Sequence, residues 1–158
     1  MVNYKIKASC PISIDILKDP DFQAIRKLLE PVSGLYPSFD AWFNFRFKRN
    51  FSSGNRIVIA AMSGSTIAGV ALLKKTESEH KICTLFVREE FRGLGVGRQL
   101  LTKAIENLKG NKIGISVAEE RHQALKSLLE KQGFSLKSKE IGYYRQGAVE
   151  FFYELDCG

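Results

Sequence analysis

The fold is decided by one stretch of sequence, Cys83-Thr84-Leu85-Phe86-Val87-Arg88-Glu89-Glu90-Phe91-Arg92-Gly93-Leu94-Gly95-Val96-Gly97-Arg98. It begins as an apolar strand and continues into a glycine-rich turn that predicts the start of a helix. The first N–H groups of a helix have no partner inside it, and the helix dipole places positive charge there. Three glycines leave this main chain open to a phosphate, and Arg92 and Arg98 add formal charge. The stretch therefore predicts a pyrophosphate-binding turn.

Two other glycine-rich motifs fit this turn less well. A P-loop needs Lys and then Ser or Thr after its last glycine, whereas Gly97 is followed by Arg98 and Gln99. A dinucleotide-binding turn needs the spacing G-x-G-x-x-G directly after its strand, whereas the glycines here alternate with other residues. An ordinary strand-to-helix connection, in which glycine only allows a tight turn, is the remaining alternative.

The pattern Arg92-x-x-Gly95-x-Gly97 after an apolar strand resembles the acyl-CoA-binding motif of the GNAT acetyltransferase superfamily. Its setting is similar too, because an apolar hairpin at 56–72 precedes it and Gly133-Phe134 follows a later helix. The resemblance covers residues 56 to 155 and implies an N-acetyltransferase that uses acetyl-CoA as its acyl donor. The cofactor-binding residues that it implies are Leu85, Phe86, Val87, Arg92, Gly93, Leu94, Gly95, Val96, Gly97, Arg98 and His122.

Hydrophobic periodicity predicts an α+β fold. Strands are expected at 4–8, 56–61, 66–75, 80–87, 112–117, 134–141 and 149–155, and helices at 19–30, 38–49, 96–110 and 124–133. Ser38 can cap the second of these helices, because its hydroxyl can accept early N–H groups. This order predicts a mixed, largely antiparallel sheet flanked by helices in a single domain over 1–158. The GNAT resemblance implies a splay between the strands at 80–87 and 112–117, which the pantetheine arm of the coenzyme enters.

Length, cysteine content and net charge limit the kinds of protein that this sequence can encode. With 158 residues and 44% hydrophobic content, the chain can bury one core and is too short for two comfortable domains. Its three cysteines lack C-x-x-C spacing, which argues against a disulfide framework and a zinc site. The first residues contain no long apolar segment, so we expect a cytoplasmic protein with no membrane partner. The net charge of +7 favours anionic partners, of which coenzyme A and nucleic acid are two.

Acyl transfer to an amine requires a neutral nucleophile, an oriented carbonyl and an acid that protonates the leaving thiolate. Glu79 and His80 open the strand beside the predicted acyl site and are the candidate bases, with solvated residues at a strand start as the alternative. The family resemblance implies that a main-chain N–H of 85–87 polarises the carbonyl. Many relatives carry a tyrosine acid four positions before the glycine of the Gly-Phe pair, where this chain has Leu129. Tyr143 and Tyr144 are therefore the candidate acids, and the alternative is that the enzyme has no dedicated acid.

The segment 36–47 is rich in aromatic residues. At helical spacing, four of them share one face and predict core packing: Phe39, Trp42, Phe43 and Phe47. Tyr36 and Phe45 are left over. Because this region lines the acceptor site in GNAT domains, we expect these two residues to shape an acceptor pocket or a partner surface.

These observations predict an enzyme that transfers an acetyl group directly from acetyl-CoA to an amine in a ternary complex. The acceptor is expected to be a small molecule, a protein amino group or an aminoacyl-tRNA, and a homodimer is compatible with the sequence. The alternative is a non-catalytic module on the same fold that senses acyl-CoA or binds nucleic acid or protein. Leu129, at the position of the usual tyrosine, is the observation that favours this alternative.

Overall fold

The computed structural model describes residues 11–157. The strand predicted at 4–8 lies outside this range. The described strands are β1 (Ile12–Ile16), β2 (Arg56–Ser63), β3 (Thr66–Lys75), β4 (His80–Val87), β5 (Ile113–Ala118), β6 (Ser135–Ile141) and β7 (Val149–Leu155). The helices are α1 (Phe22–Leu28), α2 (Glu30–Ser33), α3 (Phe39–Trp42), α4 (Val96–Leu108) and α5 (Glu119–Lys131), with a π-helical segment Phe43–Lys48 continuing α3 and a 3₁₀ turn Glu89–Phe91.

The seven strands form one sheet in the order β1-β2-β3-β4-β5-β7-β6. All neighbours are antiparallel except β4 and β5, which run parallel. A parallel pair needs a crossover connection, and α4 supplies it. The predicted mixed, largely antiparallel sheet with flanking helices is therefore confirmed.

Several local predictions differ from the structure in the first third of the chain. A strand that the sequence analysis did not predict, β1, pairs with β2. The helix predicted at 19–30 ends at Leu28, and the separate helix α2 follows it. Pro31 lies in the first turn of α2, where a missing N–H costs nothing. Ser38 is at the cap position of α3, but its side chain accepts no capping hydrogen bond. Asp40 in that first turn instead pairs with Arg26 of α1.

Apolar side chains cover both faces of the sheet. On one face, α4 and α5 pack through a cluster that includes Leu100, Leu101 and Leu129. On the other face, α1 to α3 and the π-helical segment pack through Phe39, Phe43 and Phe47. The last three side chains are buried, as the helical spacing predicted. The central strands are therefore enclosed by helices on both sides.

The parallel pair is hydrogen-bonded only where it begins. Its register runs from His80 opposite Ile113 to Ile82 opposite Ile115 and then stops, although β4 continues to Val87. Beyond this point the strands separate, and an opening through the sheet results. Within residues 11–157, no helix is long and apolar enough to cross a membrane.

Candidate active site

The glycine-rich turn leads directly into α4. Gly93 and Gly95 have φ angles of +78° and +80°, which side-chain-bearing residues rarely adopt. Gly95 is the N-cap of α4 and no side chain caps this helix, so its first N–H groups face outward without a side-chain acceptor. A Cβ built on Gly95 would meet only the Arg98 guanidinium, at 3.6 Å. The turn is thus an open backbone surface next to a cation, which fits a pyrophosphate.

Arg92 and Gly97 of this turn make two different kinds of contact. Arg92 donates from Nε to the Val87 carbonyl at 3.1 Å and lies over the Phe86 ring, so it is held at the end of β4. A Cβ on Gly97 would lie 3.4 Å from Leu128 of α5 and 3.7 Å from Val87. Gly97 therefore lets α4 pack closely, and Val96 beside it is buried in the core. Leu94, in contrast, is 45% exposed at the tip of the turn.

A cavity of about 190 Å³ occupies the opening between β4 and β5. The strands contribute 81, 83–85, 115 and 116 to its wall. On one side of the sheet it is lined by Tyr36, Trp42 and their neighbours, and on the other by Arg121 and Leu125 of α5. The cavity consequently connects the two faces of the sheet.

Glu150 of β7 is a buried carboxylate behind the cavity wall. It is 4% exposed, and within residues 11–157 it forms no ion pair. The Tyr36 hydroxyl donates to its Oε2 atom at 3.0 Å, and both Tyr36 and Ser116 line the cavity. Burial raises the pKa of Glu150, and the hydrogen bonds of Ser116 and Tyr36 offset only part of this effect. The carboxylate is therefore a poorly compensated proton acceptor beside the cavity.

Arg121, near the start of α5, reaches back to β4. Its Nη2 donates to the Leu85 carbonyl, and its guanidinium lies over the Phe86 ring. Leu85 lies beyond the last residue of β4 that pairs with β5, so this carbonyl is on the separated part of the strand. In a continuous sheet, a backbone N–H of the neighbouring strand would donate to that carbonyl, whereas here the Arg121 side chain donates to it.

Two residues of β4 bring different chemistry into the cavity. Burial works to lower the pKa of Lys81, but the nearby Tyr144, Cys83 and Glu79 outweigh it, so the ammonium remains charged at neutral pH. Burial raises the pKa of the Cys83 thiol to about 11. A protonated, buried thiol is a weak nucleophile, so Cys83 acts as a small packing residue.

The structure separates the two candidate acids. Tyr144 lines the cavity and packs edge-on against Tyr36, with ring centroids 5.1 Å apart. Tyr143 is 59% exposed and packs between Tyr144 and Phe152, outside the cavity wall. Tyr36 meets the expectation of a cavity residue, whereas Phe45 is 67% exposed and does not line it.

The two candidate bases lie away from the cavity. His80 is tied through Nδ1 to the Leu108 carbonyl at the end of α4. Glu79 accepts from Lys74 at 2.6 Å, and this ion pair lowers the pKa of the carboxyl. Both side chains are thus engaged at the beginning of β4, and neither faces the space where a substrate would bind.

His122 and Leu129 of α5 also have packing roles. The His122 ring stacks on Phe151 at 3.6 Å between centroids, and its Nε2 is 2.6 Å from the Tyr153 hydroxyl. Burial, followed by Lys126 and Lys139, lowers the pKa of His122. Leu129 is fully buried in the core. Of the residues predicted to bind the cofactor, Leu85 lines the same cavity as Tyr144. The glycine turn lies beyond the end of β4, and His122 packs against β7.

Sequence reasoning missed three ionisable residues of the site, Lys81, Arg121 and Glu150. A partial signal was present for two of them, because Lys81 and Glu150 are charged residues near the start of mainly apolar strands. Arg121 follows two glutamates at the start of a helix, where a basic residue gives no such signal. Among the described residues, no group of three His, Cys, Asp or Glu side chains could hold a metal ion.

A family model for the acetyltransferase (GNAT) domain matches residues 38–151. The chain belongs to this family. It is 28% identical over 153 residues to the N-alpha-acetyltransferase RimI of Mycobacterium tuberculosis, covering 94% of both chains. The GNAT family assignment identifies the protein as an acyltransferase and acetyl-CoA as its acyl donor, as the sequence predicted.

Solved structures agree on the fold. The ribosomal-protein-S18-alanine N-acetyltransferase of Escherichia coli superposes with a TM-score of 0.70 at 17% identity, covering 94% of this chain and 95% of that one. A Bacillus subtilis acetyltransferase in complex with CoA gives a TM-score of 0.68 at 23% identity, covering 92% and 99%. At these identities the similarity concerns the architecture, which is the GNAT fold.

Proposed function

We propose that this GNAT member transfers the acetyl group of acetyl-CoA directly to a primary amine bound in the cavity between β4 and β5. The observation that carries the proposal is the position of this cavity. It passes through the sheet where the strands separate, and its lining comes from α2 and α3 on one face of the sheet and from α5 on the other. Two substrates can enter from opposite faces and meet, which is the arrangement that direct transfer in a ternary complex requires.

The cofactor side is formed by the glycine turn and the separated edge of β4. Backbone N–H groups from Gly93 to Gly97 would hold the pyrophosphate, with Arg98 nearby. The pantetheine arm would follow the β4 edge, on which the Leu85 carbonyl now accepts from Arg121. When bound, acetyl-CoA supplies an activated acyl group as a thioester. A main-chain N–H of the segment 85–87 would polarise its carbonyl, since β5 does not pair there.

The acceptor side contains the proton acceptor. An ammonium group must lose a proton before its nitrogen can attack the thioester carbonyl. Glu150 suits this task because its carboxylate is buried, has no ion-pair partner among residues 11–157 and is hydrogen-bonded to the cavity-lining Tyr36. The raised pKa of Glu150 brings it closer to that of the amine and makes it a stronger base.

Tyr144 is positioned to supply the acid. As the new C–N bond forms, the C–S bond breaks and the departing sulfur needs a proton. Tyr144 lines the cavity and its hydroxyl makes no hydrogen bond to other described residues. The Tyr36 hydroxyl, by contrast, already donates to Glu150. Of the two aromatic hydroxyls at the cavity, Tyr144 is thus the one available for the leaving group.

The amino terminus of a polypeptide is one acceptor to be tested. The support is the 28% identity to a RimI named as an N-alpha-acetyltransferase, over 94% of both chains. An α-amine at the end of an extended peptide can enter an opening flanked by Tyr36 and Tyr144 without bringing in the rest of the protein. Small-molecule amines and aminoacyl-tRNA remain in the same acceptor screen.

The direct test has two steps. Calorimetric titration with acetyl-CoA should give saturable micromolar binding to the cofactor side. Thiol release should then be measured with a panel of small amines, aminoacyl-tRNA and peptides that covers each N-terminal residue, and the products verified by mass spectrometry. Acetylation of at least one amine, with rates that saturate independently in both substrates, is expected. Acetylated enzyme accumulating without an acceptor would contradict direct transfer, and binding without turnover would contradict the proposed activity.

A further inference from the structure

Three basic side chains lie side by side across the sheet. Arg56 of β2 pairs with Lys74 of β3, and Lys74 pairs with Lys81 of β4. Directly opposed residues share one face of a sheet, with their Cβ atoms roughly 5 Å apart. Like charges in this arrangement are destabilising. Without compensating anions, such a basic row costs stability.

The described residues provide only part of that compensation. Glu79 pairs with Lys74 at 2.6 Å. Lys81 forms no hydrogen bond or ion pair with any residue in 11–157, and the buried Nε of Arg56 has no hydrogen-bond partner in that range. The row continues across Gly114 of β5 to Glu154 of β7, which is beyond ion-pair distance of Lys81. Two of the three cations consequently lack an ion-pair contact among the described residues, although the Glu79 carboxylate acts on both at longer range.

The basic row adjoins the acceptor side of the cavity. Lys81 lines the cavity directly, next to Cys83. All three cations also act electrostatically on the Cys83 thiol, opposing the burial that raises its pKa. The row lies on the face of the sheet covered by α1 to α3, because Val58 and Leu72, two positions from Arg56 and Lys74, pack in that cluster.

The phosphates of the coenzyme are expected at the other end of β4. The glycine turn follows Val87, six residues beyond Lys81, which corresponds to roughly 20 Å of strand. An anion bound by the row therefore belongs to the second substrate. Gly114, opposite Lys81, and Ser116, beside Glu150, are two residues apart on β5, or roughly 7 Å. One acceptor can span that distance.

We propose that Arg56, Lys74 and Lys81 form an anion-binding subsite, and that the acceptor is a primary amine that also carries a carboxylate or phosphate group. This inference rests on the proposed function, because it assigns the second substrate of the same cavity. The amine approaches Glu150, and the anion lies against Lys81 and Arg56. A free amino acid and the end of an acidic peptide share this chemistry.

Matched acceptors test the charge requirement. The pairs are aspartate with asparagine, O-phosphoserine with serine, and the peptide amides Ala-Asp-Ala with Ala-Asn-Ala, each assayed with acetyl-CoA. In at least one pair, kcat/KM should be 10-fold or more higher for the anionic member. The first two pairs report on free amino acids and the third on peptides. Equal kcat/KM values within every pair would overturn the inference.

Substitutions in the basic row test whether these residues cause the preference for an anionic acceptor. Lys81→Gln should reduce the preference for the anionic acceptor to about 2-fold or less while leaving acetyl-CoA affinity unchanged. Lys75→Gln is the matched control, since Lys75 is exposed, adjoins Lys74 and points to the opposite face of β3. Arg56→Gln should act like Lys81→Gln, with melting temperatures checking that each variant is folded. A preference that survives in Lys81→Gln would contradict the subsite.

A binding measurement separates this inference from the proposed activity. Aspartate and asparagine are titrated into the protein with CoA present, and binding is followed by NMR. If aspartate binds through Lys81 but no amine is acetylated, the subsite stands and the proposed activity fails. If neutral and anionic amines are acetylated equally well, the activity stands and the subsite fails. Absence of both binding and anion preference overturns the inference.

Discussion

The two ends of the proposed active site are built in different ways. The proposed cofactor end is one continuous segment, 87–98, in which two glycines with positive φ leave main-chain N–H groups accessible for binding. The acceptor end is assembled from residues distant in sequence, which are Tyr36, Lys81, Ser116, Tyr144 and Glu150. Local backbone geometry determines the first end, and tertiary packing determines the second.

This difference predicts which measurement each end controls. Backbone donors bind the donor substrate in its ground state, so changes at the glycine turn should alter acetyl-CoA affinity. Ionisable side chains act on the proton that the acceptor loses, so changes at the acceptor end should alter turnover and its pH dependence. Substitutions at the two ends should therefore separate affinity from turnover.

Glu150→Gln should have the largest effect. Loss of a positioned general base typically costs 10²- to 10⁴-fold, so we expect kcat/KM for the acceptor to fall about 1,000-fold. Acetyl-CoA affinity should stay within about 2-fold, because Glu150 lies away from the glycine turn. The pKa of Glu150 is raised above 4.5, so wild-type kcat/KM should increase with pH as this carboxyl ionises. The variant should lose this increase.

The control for this substitution is Glu140→Gln. Glu140 is the exposed cross-strand neighbour of Glu150 on β6, so the chemical change is the same outside the cavity. Its kinetics should match the wild type. If Glu150→Gln retained wild-type kcat/KM and the same pH profile, the acceptor end would not contain the base, and the contrast between the two ends would fail.

Gly95→Glu should have the next largest effect, on affinity alone. It places a Cβ and a carboxylate at a position with φ of +80°, where the pyrophosphate should bind, so acetyl-CoA affinity should fall at least about 100-fold by calorimetry. Gly54→Glu is a matched control, because Gly54 has φ of +83° in a turn outside the site. Near wild-type affinity in Gly95→Glu would contradict the backbone cradle.

Most of the fold was predictable because it is encoded locally. The period-2 and period-3.6 patterns gave β2 to β7, α4 and α5 within a few residues. The exceptions depend on tertiary contacts. β1 is different, because Ile12, Ile14 and Ile16 alternate with Ser13 and Asp15, and this short period-2 pattern was missed. Ser38 was expected to cap α3 by local chemistry, but Asp40 on that turn pairs with Arg26 instead.

The candidate site was predictable at its cofactor end only. Glycines at fixed spacing after an apolar strand reveal a backbone feature in the sequence itself. The importance of Glu150 depends on its burial and on Tyr36, which is 114 residues away along the chain. No local pattern contains that pairing. For the same reason, Glu79 and His80 were plausible bases by position along β4, whereas their contacts engage them elsewhere.

Tyr144→Phe should have a smaller effect on turnover. Water can reach a cavity whose wall includes the 38% exposed Tyr144, and it can partly replace a missing acid, so we expect kcat to fall about 10-fold. Tyr143→Phe is the matched variant, because Tyr143 is adjacent but outside the cavity wall, and its kcat should remain near wild type. Equal losses in both variants would show that the aromatic cluster acts through packing rather than through the Tyr144 hydroxyl.

The smallest expected effect concerns stability and has a definite sign. Because the pKa of Glu150 is raised in the folded protein, the folded state holds a proton that the unfolded chain releases above about pH 4.5. Wild-type stability should therefore decrease as pH rises through the folded-state pKa, by about 1.4 kcal/mol for each unit of the shift.

The glutamine side chain does not titrate in this range. The difference in stability between Glu150→Gln and the wild type should therefore shift in favour of the variant as the pH rises from 4 to 8. Thermal unfolding at both pH values measures this difference, which we expect to be a few degrees. Glu140→Gln should show no comparable dependence, since Glu140 is exposed. A difference of the opposite sign would mean that the carboxylate of Glu150 is stabilised in the fold. The acceptor end would then hold a satisfied structural anion instead of a base awaiting its substrate.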